Sequence, residues 1–398
     1  MTRRAQAVIG ACWGDEGKGL LTDALARPDT LVVRFNGGAQ AGHTVVAPDG
    51  RRHVFHGVGS GTFRGAATFL SRFHVHNPLL HGEEVAQLRR LGLALRVIAD
   101  PRGMVTTPWD MMLNQMAEET RGAERHGSCG MGLNETVTRT QAGFALTAGQ
   151  LGDAAALREV LHGIRARWVP QRLDALGLRP SPDWLARLDS AGVWDAFMDA
   201  ARAFAAEVPR ATNAIAAHSG PVLFEGAQGL LLDAEHRWFP HVTRSRTGLT
   251  NVATLAQEAG IGALDVTYVT RAYATRHGAG PFPREVDASY PDVTNVPNPW
   301  QGTLRFGELD LDLLHEAVAA DMAASLLPVS HRLAVTCLDQ VGEQVGFWQG
   351  GSSRTAAPAA MLDTAQALLG GGLIASYGPT RDTLGVGRRL GRGQRHAA

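Results

Sequence analysis

The stretch VIGACWGDEGKGL, residues 8–20, decides the fold of this chain. Its first residues belong to an apolar run from Ala7 to Cys12. This run is too short for a membrane span or a signal-peptide core, so it predicts a first buried strand over 6–12. Glycines follow at once and lead into a helical pattern. Such a strand, glycine loop and helix is typical of phosphate binding, because backbone N–H groups and the helix N-terminus can point at the anion.

The loop is not a Walker A motif. That motif requires Gly at the position of Cys12 and Ser or Thr at that of Gly19. The hydroxyl that usually binds magnesium is therefore missing, and Asp15 is the nearest alternative. Phosphate repels a carboxylate inside such a loop unless the carboxylate holds a metal ion or accepts a proton, so we expect Asp15 to take one of these roles.

The rest of the chain alternates short apolar runs with helical patterns. Strands are predicted at 6–12, 30–35, 94–99, 221–225, 266–273, 332–338 and 373–377, and helices at 19–27, 82–93, 109–121, 154–167, 192–207, 250–258, 311–324 and 359–369. Because the apolar runs do not alternate with polar residues, we predict an α/β fold: a large, mostly parallel wound sheet with helices on both faces, similar to P-loop architecture. The stretch 150–215 predicts a helical cover within a single domain over 1–398, without a clear linker.

Composition limits the partners and the compartment. The chain has 38 basic and 38 acidic residues and no run of like charge, so neither nucleic acid nor a membrane is an expected partner. The three cysteines, Cys12, Cys129 and Cys337, are far apart and lack C-x-x-C spacing, which argues against disulfides and a zinc site. A cytoplasmic location is expected.

A second glycine cluster, NGGAQAGHT at 36–44, follows the second predicted strand. Open α/β sheets bind ligands at the carboxyl ends of their strands. His43, in the loop expected there, should therefore lie beside the first glycine loop and act on the ligand.

Five ordered motifs extend this interpretation over almost the whole chain. They are WGDEGKG at 13–19, AGHT at 41–44, FEGAQG at 224–229, AYATR at 272–276 with GAGPFP at 278–283, and GP at 378–379 followed by Arg381. Together they resemble the adenylosuccinate synthetase family. Members of this family transfer the γ-phosphate of GTP to a purine carbonyl oxygen, and the amine of aspartate then displaces that phosphate.

The resemblance implies a role for each matching residue. Asp15 would take the ring N1 proton and help to hold Mg²⁺ with the Gly42 carbonyl, and His43 would hydrogen-bond or protonate the oxygen that is phosphorylated. Asp339 would accept from guanine, which makes GTP the expected donor. The implied catalytic residues are Asp15, His43, Lys18 and Gln228; those for the triphosphate are Gly14, Glu16, Gly17, Gly19, Thr44, Asp339, Gly378 and Arg276; those for the other substrates are Gln40, Ser128, Arg139, Thr243, Thr303 and Arg305.

The resemblance further implies three small-molecule substrates, a purine nucleoside monophosphate, a nucleoside triphosphate and aspartate. It also implies a homodimer, in which Arg139 would reach across the interface. The sequence departs from the family where aspartate binds, because the usual T-T-G-R-x-R-R loop is replaced by QGTLRFG at 301–307. Aspartate would then depend on Arg305, Thr303 and Arg284.

Several alternatives remain open. Leu20 and Cys337 each replace a lysine of the family, and the second change admits ATP or dATP as the donor. The pattern is similar to the divergent branch that includes the phage 2-aminoadenylosuccinate synthetases, which use dGMP, so IMP is the first expectation for the acceptor and dGMP the second. A nucleotide-binding regulator without ligase activity is the third hypothesis, and retention of Asp15, Lys18 and His43 argues against it.

Overall fold

The computed structural model describes residues 2–295, 297 and 299–386. The strands are β1 (Arg4–Gly10), β2 (Leu31–Arg34), β3 (His43–Val46), β4 (Arg52–Phe55), β5 (Ala67–Leu70), β6 (Val97–Ala99), β7 (Val222–Gly229), β8 (Ala263–Arg271), β9 (Ala274–His277), β10 (Glu285–Val286), β11 (Leu304–Gly307), β12 (Leu309–Asp310), β13 (Val329–Thr336), β14 (Val345–Gln349), β15 (Ser352–Ala356), β16 (Gly372–Ser376) and β17 (Leu384–Val386). The helices are α1 (Lys18–Leu25), α2 (Pro78–Arg90), α3 (Pro108–Arg121), α4 (Leu133–Gln141), α5 (Ala154–Gly163), α6 (Val169–Ala175), α7 (Pro182–Leu188), α8 (Ala191–Glu207), α9 (Ala214–Ala217), α10 (Leu249–Glu258), α11 (Leu311–Ala323) and α12 (Pro358–Leu369).

The main sheet has nine strands within the described residues, in the order β17-β16-β13-β8-β1-β7-β2-β5-β6. Its strands run parallel except for β17, which pairs antiparallel with β16. All seven predicted strands overlap strands of this sheet, and the predicted fold class is confirmed.

The sheet is buried on both faces, as its unalternating apolar strands predict. In the central strand β1, Ala7 and Ile9 belong to a core cluster that includes residues of α10, α11 and α12. Val8 points to the other face, where it belongs to a cluster with Leu20 and Leu21 of α1. Adjacent residues of one strand therefore serve two hydrophobic cores, which explains why residues 7–9 of β1 are all apolar.

Several strands were not predicted from the sequence, among them β5 and a hairpin beside the expected site. In β5 the polar Thr68 interrupts the apolar residues, so no continuous apolar run marks the strand, yet it pairs with β2 and β6. The expected loop around His43 is instead an antiparallel hairpin of β3 and β4, in which His43 pairs with Phe55.

Helices fill the stretch between residues 154 and 217. Asp153 caps α5 by accepting from the backbone N–H groups of Ala155 and Ala156, and Asp310 caps α11 by accepting from Leu313, so both predicted caps are confirmed. Buried residues of α5 and α8, including Leu161 and Phe197, form a core of their own with Trp109 of α3 and other residues. No helix in the described part of the chain combines the length and apolarity needed to cross a membrane.

Candidate active site

Two adjoining cavities lie around the loops at the carboxyl ends of the parallel strands. The larger has a volume of about 580 Å³ and the smaller about 280 Å³. Four residues line both of them: Asp15, Gly42, Thr294 and Asn295. The boundary between the cavities is therefore formed by the first glycine loop, the second glycine cluster and the segment 291–295.

The first glycine loop, between β1 and α1, places Asp15 at this boundary. Gly14, Asp15 and Gly17 all have positive φ, of 96°, 58° and 92°. A non-glycine residue adopts this conformation only where its surroundings stabilise it. Here the Arg271 side chain donates from Nε to the Asp15 carbonyl oxygen at 2.5 Å. The backbone of Asp15 is thus held while its carboxylate, 24% exposed, remains accessible.

A buried ion pair lies within the same loop. Lys18 Nζ is 3.2 Å from Glu16 Oε2, and both side chains are 2% exposed. Glu16 also accepts from the Cys12 backbone N–H at 2.5 Å. Burial raises the pKa of Glu16, and the charge of Lys18 opposes that shift. The pair needs the glycine at position 10, because a Cβ atom there would lie 2.0 Å from Glu16 Oε2 and 2.8 Å from Lys18 Nζ.

His43 begins β3 and lines the smaller cavity together with Asp15 and Lys18. Its Nδ1 atom lies 2.6 Å from Oε1 of Glu225, which is in the middle of β7. Arg34 is the register partner of Glu225 across β2 and β7, and its Nη1 atom is 3.2 Å from the same Nδ1. The Ser60 backbone N–H completes the group by donating to Glu225 at 3.0 Å.

The electrostatics of this group determine the state of His43. Burial, and after it the charge of Arg34, lower the pKa of His43 to about 4, although the charge of Glu225 and its hydrogen bond act in the opposite direction. Burial would raise the pKa of Glu225, but Arg34 and His43 reverse that shift and bring it to about 2. A carboxylate 2.6 Å from Nδ1 must accept a proton from it, so neutral His43 carries its proton on Nδ1 and presents Nε2 as an acceptor.

The helix start packs tightly against the hairpin that carries His43. A Cβ atom on Gly19 would lie 2.9 Å from the Thr44 carbonyl oxygen and 3.1 Å from both the carbonyl carbon and the Cβ atom of His43. Ser or Thr at position 19 would therefore displace the histidine. This steric conflict is a physical reason for the departure from Walker A at this position.

The predicted acceptor residues Gln40, Ser128, Gln228 and Thr243 all line the larger cavity. Gln228 has a φ of 64° at the irregular end of β7. The Ser128 hydroxyl donates to Asn114 Oδ1 at 2.8 Å. The smaller cavity is lined by the predicted triphosphate residues Glu16, Gly17, Lys18, Gly19, Thr44, Asp339 and Gly378. Gly14 lies behind the loop, where a Cβ atom would be 3.4 Å from Gln228 Cα.

Arg139 lies in a different place from the one expected. Its side chain is 0% exposed and pairs with Asp110 at 2.9 Å. It also donates to the carbonyl oxygens of Val105, at 2.7 Å, and Phe144, at 2.5 Å. A guanidinium enclosed in this way reaches neither a nucleotide nor a second subunit, so we do not retain Arg139 as a substrate residue.

The other predicted arginines also differ from expectation. Arg276 lines the larger cavity and not the smaller one, so it is not placed beside the predicted triphosphate site. Arg305 pairs with Glu285 and donates to the carbonyl oxygens of Gly278 and Gly280. Thr303 directly precedes β11, the strand that contains Arg305. Arg284 stacks on Trp348, 3.4 Å from the ring centroid. The expected aspartate clamp is therefore not assembled in this conformation.

Several residues at the boundary were missed by sequence reasoning. The Nε2 atom of His277, at the end of β9, lies 3.7 Å from Asp15 Oδ2. Arg271 pairs with Asp292 at 2.9 Å and so ties the segment 291–295 to the Asp15 loop. Arg34 and Glu225 are charged residues within otherwise apolar strands, and this contrast could have identified them in the sequence as possible site residues.

The donor atoms at the boundary fit a magnesium ion bound mainly through phosphate. Within the described residues, no group of three or more His, Cys, Asp or Glu side chains could hold a metal by itself. Asp15 offers one carboxylate and Gly42 a backbone carbonyl, in the region that both cavities share. Magnesium in phosphate-transfer sites commonly takes one or two protein oxygens and completes its shell with phosphate and water.

Comparison with known proteins gives one consistent family. The adenylosuccinate synthetase profile matches residues 7–364. The adenylosuccinate synthetase of Synechococcus sp. (strain RCC307) is 36% identical over 72% of this chain and 64% of its own length. That of Methylococcus capsulatus is 35% identical over 70% of this chain and 64% of its own length. The chain thus spans slightly less than two thirds of these relatives.

Two solved structures share the fold. Fully ligated adenylosuccinate synthetase from Plasmodium falciparum superimposes with a TM-score of 0.76 at 17% identity, over 96% of this chain and 100% of that one. The succinoaminodeoxyadenylate synthetase of cyanophage S-2L, bound to dGMP and to dATP as an energy donor, gives a TM-score of 0.58 at 15% identity, over 97% and 96%.

Proposed function

The chain belongs to the adenylosuccinate synthetase family, and from that premise we propose that it is a ligase that joins L-aspartate to IMP with GTP as the phosphate donor. The products are adenylosuccinate, GDP and phosphate. The observation that carries this proposal is the position of Asp15, which lines both cavities while the other implied catalytic groups divide between them.

The smaller cavity is the proposed site of GTP. Lys18, the glycine loop, Asp339 and Gly378 line it, and Asp15 of that loop also lines the larger cavity and so marks the boundary. The γ-phosphate must lie at the boundary, because it has to reach the acceptor nucleotide. The purine would then occupy the Asp339 side, where a carboxylate can accept from the N1–H and amine of guanine.

The larger cavity is the proposed site of IMP and aspartate. Asp15 takes the N1 proton, which places negative charge on the purine oxygen, and that oxygen attacks the γ-phosphorus while GDP leaves. His43, held through Nδ1 by Glu225, would take up a proton on Nε2 when the anionic triphosphate binds and then donate from Nε2 to the reacting oxygen, while the Glu225 carboxylate stabilises the imidazolium. Asp15 and the Gly42 carbonyl would hold Mg²⁺, which neutralises charge on the phosphates.

The steps balance without a further reactant. The amine of aspartate attacks the carbon that bears the phosphorylated oxygen, the carbon–oxygen bond breaks, and phosphate leaves. The proton that the new secondary amine loses passes to phosphate, and the N1 proton held by Asp15 passes to solvent, which regenerates the carboxylate. Phosphate is a far better leaving group than the original carbonyl oxygen. This chemistry explains why the Asp15 carboxylate lies inside a phosphate-binding loop. In a regulator without ligase activity, Asp15 would have no such role.

We also propose a cytoplasmic homodimer. The three cysteines are unpaired, which fits a reducing compartment. The proposal of a dimer is based on family membership alone. Because Arg139 is enclosed in its own subunit, any residue that the partner subunit contributes to the active site would have to be a different one. Light scattering of the purified protein measures the oligomeric state directly.

The test is a crossed assay of phosphate release. Purified protein with Mg²⁺ receives GTP, ATP or dATP, each with IMP or dGMP, with and without aspartate. We expect release only with all three substrates, and fastest with GTP and IMP. The second candidate is the ligation of aspartate to dGMP, because the chain shares its fold with the cyanophage enzyme. Faster phosphate release with dGMP than with IMP would support this activity. Release without any acceptor would contradict the ligase proposal.

A further inference from the structure

The charged residues that line the smaller cavity are unevenly paired. The described lining contains four carboxylates, Asp15, Glu16, Asp292 and Asp339, and three cations, Lys18, Arg52 and Arg271. The carboxylates therefore outnumber the cations in this lining. A triphosphate is strongly anionic, so an unpaired cation in this lining has a large effect on its binding.

Two of the three cations are already paired with carboxylates. Lys18 lies 3.2 Å from Glu16, and Arg271 lies 2.9 Å from Asp292. Arg52, in contrast, has no ion-pair partner within the described residues, and its only side-chain hydrogen bond there is from Nη2 to the neutral hydroxyl of Thr294, at 2.8 Å. Its guanidinium, which is exposed to solvent, therefore has no counter-charge from the protein and retains further N–H donors.

The position of Arg52 identifies the part of the nucleotide that it faces. Arg52 begins β4, which pairs with the β3 strand that carries His43. Thr294, its hydrogen-bond partner, is one of the four residues that line both cavities. The guanidinium thus lies at the boundary, where the phosphoryl group crosses between the two substrates.

We propose that Arg52 binds the phosphoryl group that is transferred and stabilises the charge on its oxygens in the transition state. The inference rests on the proposed function, because only a phosphoryl transfer gives the boundary this role. An arginine suits it: the planar guanidinium can offer two parallel N–H groups to phosphate oxygens. On binding, phosphate oxygens replace the Thr294 hydroxyl as the acceptor.

The experiment compares Arg52→Met with two matched variants. Arg51→Met removes the neighbouring arginine of the same hairpin, which pairs with Asp49 at 2.7 Å. Thr294→Val removes the tether between Arg52 and the segment 291–295 but keeps the charge. For each protein we measure kcat with GTP, IMP and aspartate, and the Kd of GTP and GDP by calorimetry, with ATP and ADP in parallel.

We expect Arg52→Met to lower kcat by about 100-fold or more, in the range found when a transition-state arginine is removed. The Kd of GTP should rise by at least about tenfold and that of GDP by less than about threefold, because GDP lacks the group that Arg52 contacts. Arg52→Lys should recover part of the loss, and Arg51→Met should match the wild type.

Three results would overturn the inference: a kcat for Arg52→Met within threefold of wild type, equal losses for GTP and GDP, or the same loss in Thr294→Val, which would make Arg52 a tether only. A wild-type protein without activity on any substrate set would refute the proposed function instead, and the comparison of GTP with GDP would still test Arg52.

Discussion

The Nδ1 atom of His43 lies 2.6 Å from Oε1 of Glu225, and this contact joins the β3–β4 hairpin to the middle of β7. The carboxylate accepts from Nδ1, so a proton taken up on Nε2 makes that nitrogen a donor to the reacting oxygen, and Glu225 stabilises the imidazolium. Two segments that are far apart in sequence thereby build one functional group, which neither segment could position alone.

Replacing the carboxylate should impair catalysis more than binding. Glu225→Gln keeps the shape of the side chain but removes the charge that orients His43 and pairs with Arg34. We expect kcat to fall by about 100-fold, the lower end of general acid–base effects, while the KM of GTP changes little. Steady-state kinetics would show this. As a control, Ser60→Ala removes another donor to Glu225 and should change kcat by less than about threefold.

The buried neutral state of His43 predicts a pH dependence of stability. Burial and Arg34 lower its pKa to about 4, from about 6.5 in the unfolded chain. Between these values the unfolded chain binds a proton that the folded protein does not, so stability falls as the pH falls from 6.5 to 5. His43 should contribute about 1.5 kcal/mol to that fall.

Urea unfolding of the wild type and His43→Gln at pH 6.5 and pH 5 measures this contribution as the difference between the two changes. Burial also lowers the pKa values of His74, His76 and His81, but these groups are present in both proteins and cancel. An identical pH dependence in the two proteins would show that His43 titrates normally.

The buried pair of Glu16 and Lys18 predicts a non-additive double variant. Glu16→Gln leaves the Lys18 ammonium without its counter-charge and should lower the free energy of unfolding by about 3 kcal/mol. The double variant Glu16→Gln/Lys18→Met removes both charges and should recover most of that loss, but it should no longer bind GTP. Denaturant unfolding and calorimetry test the two halves separately, and additive losses of stability would contradict the pairing.

Restoring the Walker A residue should damage the enzyme. Gly19→Ser and Gly19→Ala both add a Cβ atom 2.9 Å from the Thr44 carbonyl oxygen, and each should lower stability by about 1–3 kcal/mol and kcat by about tenfold or more. Gly82→Ala, where a Cβ atom meets nothing within 4 Å, is the control. A gain of activity in Gly19→Ser alone would show instead that the missing hydroxyl limits magnesium binding.

Much of the fold could be predicted from the sequence because continuous apolar runs mark buried parallel strands. The same criterion could not find β5, whose apolar residues are interrupted by Thr68, or the hairpin of β3 and β4, which lies outside the main sheet. Both glycine loops were placed at the sheet edge by general properties of parallel sheets.

The arginines were the least predictable part of the site. A guanidinium serves a ligand or a carboxylate of its own chain, and only the fold decides which. Arg139 is 0% exposed and pairs with Asp110, which is 29 positions away in the sequence. Arg305 pairs with Glu285 across neighbouring strands. His277 was overlooked because only the approach of β9 to the Asp15 loop brings it to 3.7 Å from that carboxylate.

The most direct test of the central claim, that Asp15 activates the acceptor for phosphorylation at the boundary of the two cavities, is positional isotope exchange. GTP labelled with ¹⁸O in the β–γ bridge is incubated with the enzyme, Mg²⁺ and IMP in the absence of aspartate, and the label is followed by ³¹P NMR. The account predicts that the label moves to non-bridging positions with the wild type, and that it stays in place without IMP or in Asp15→Asn. Movement of the label without IMP, or undiminished movement in Asp15→Asn, would contradict it.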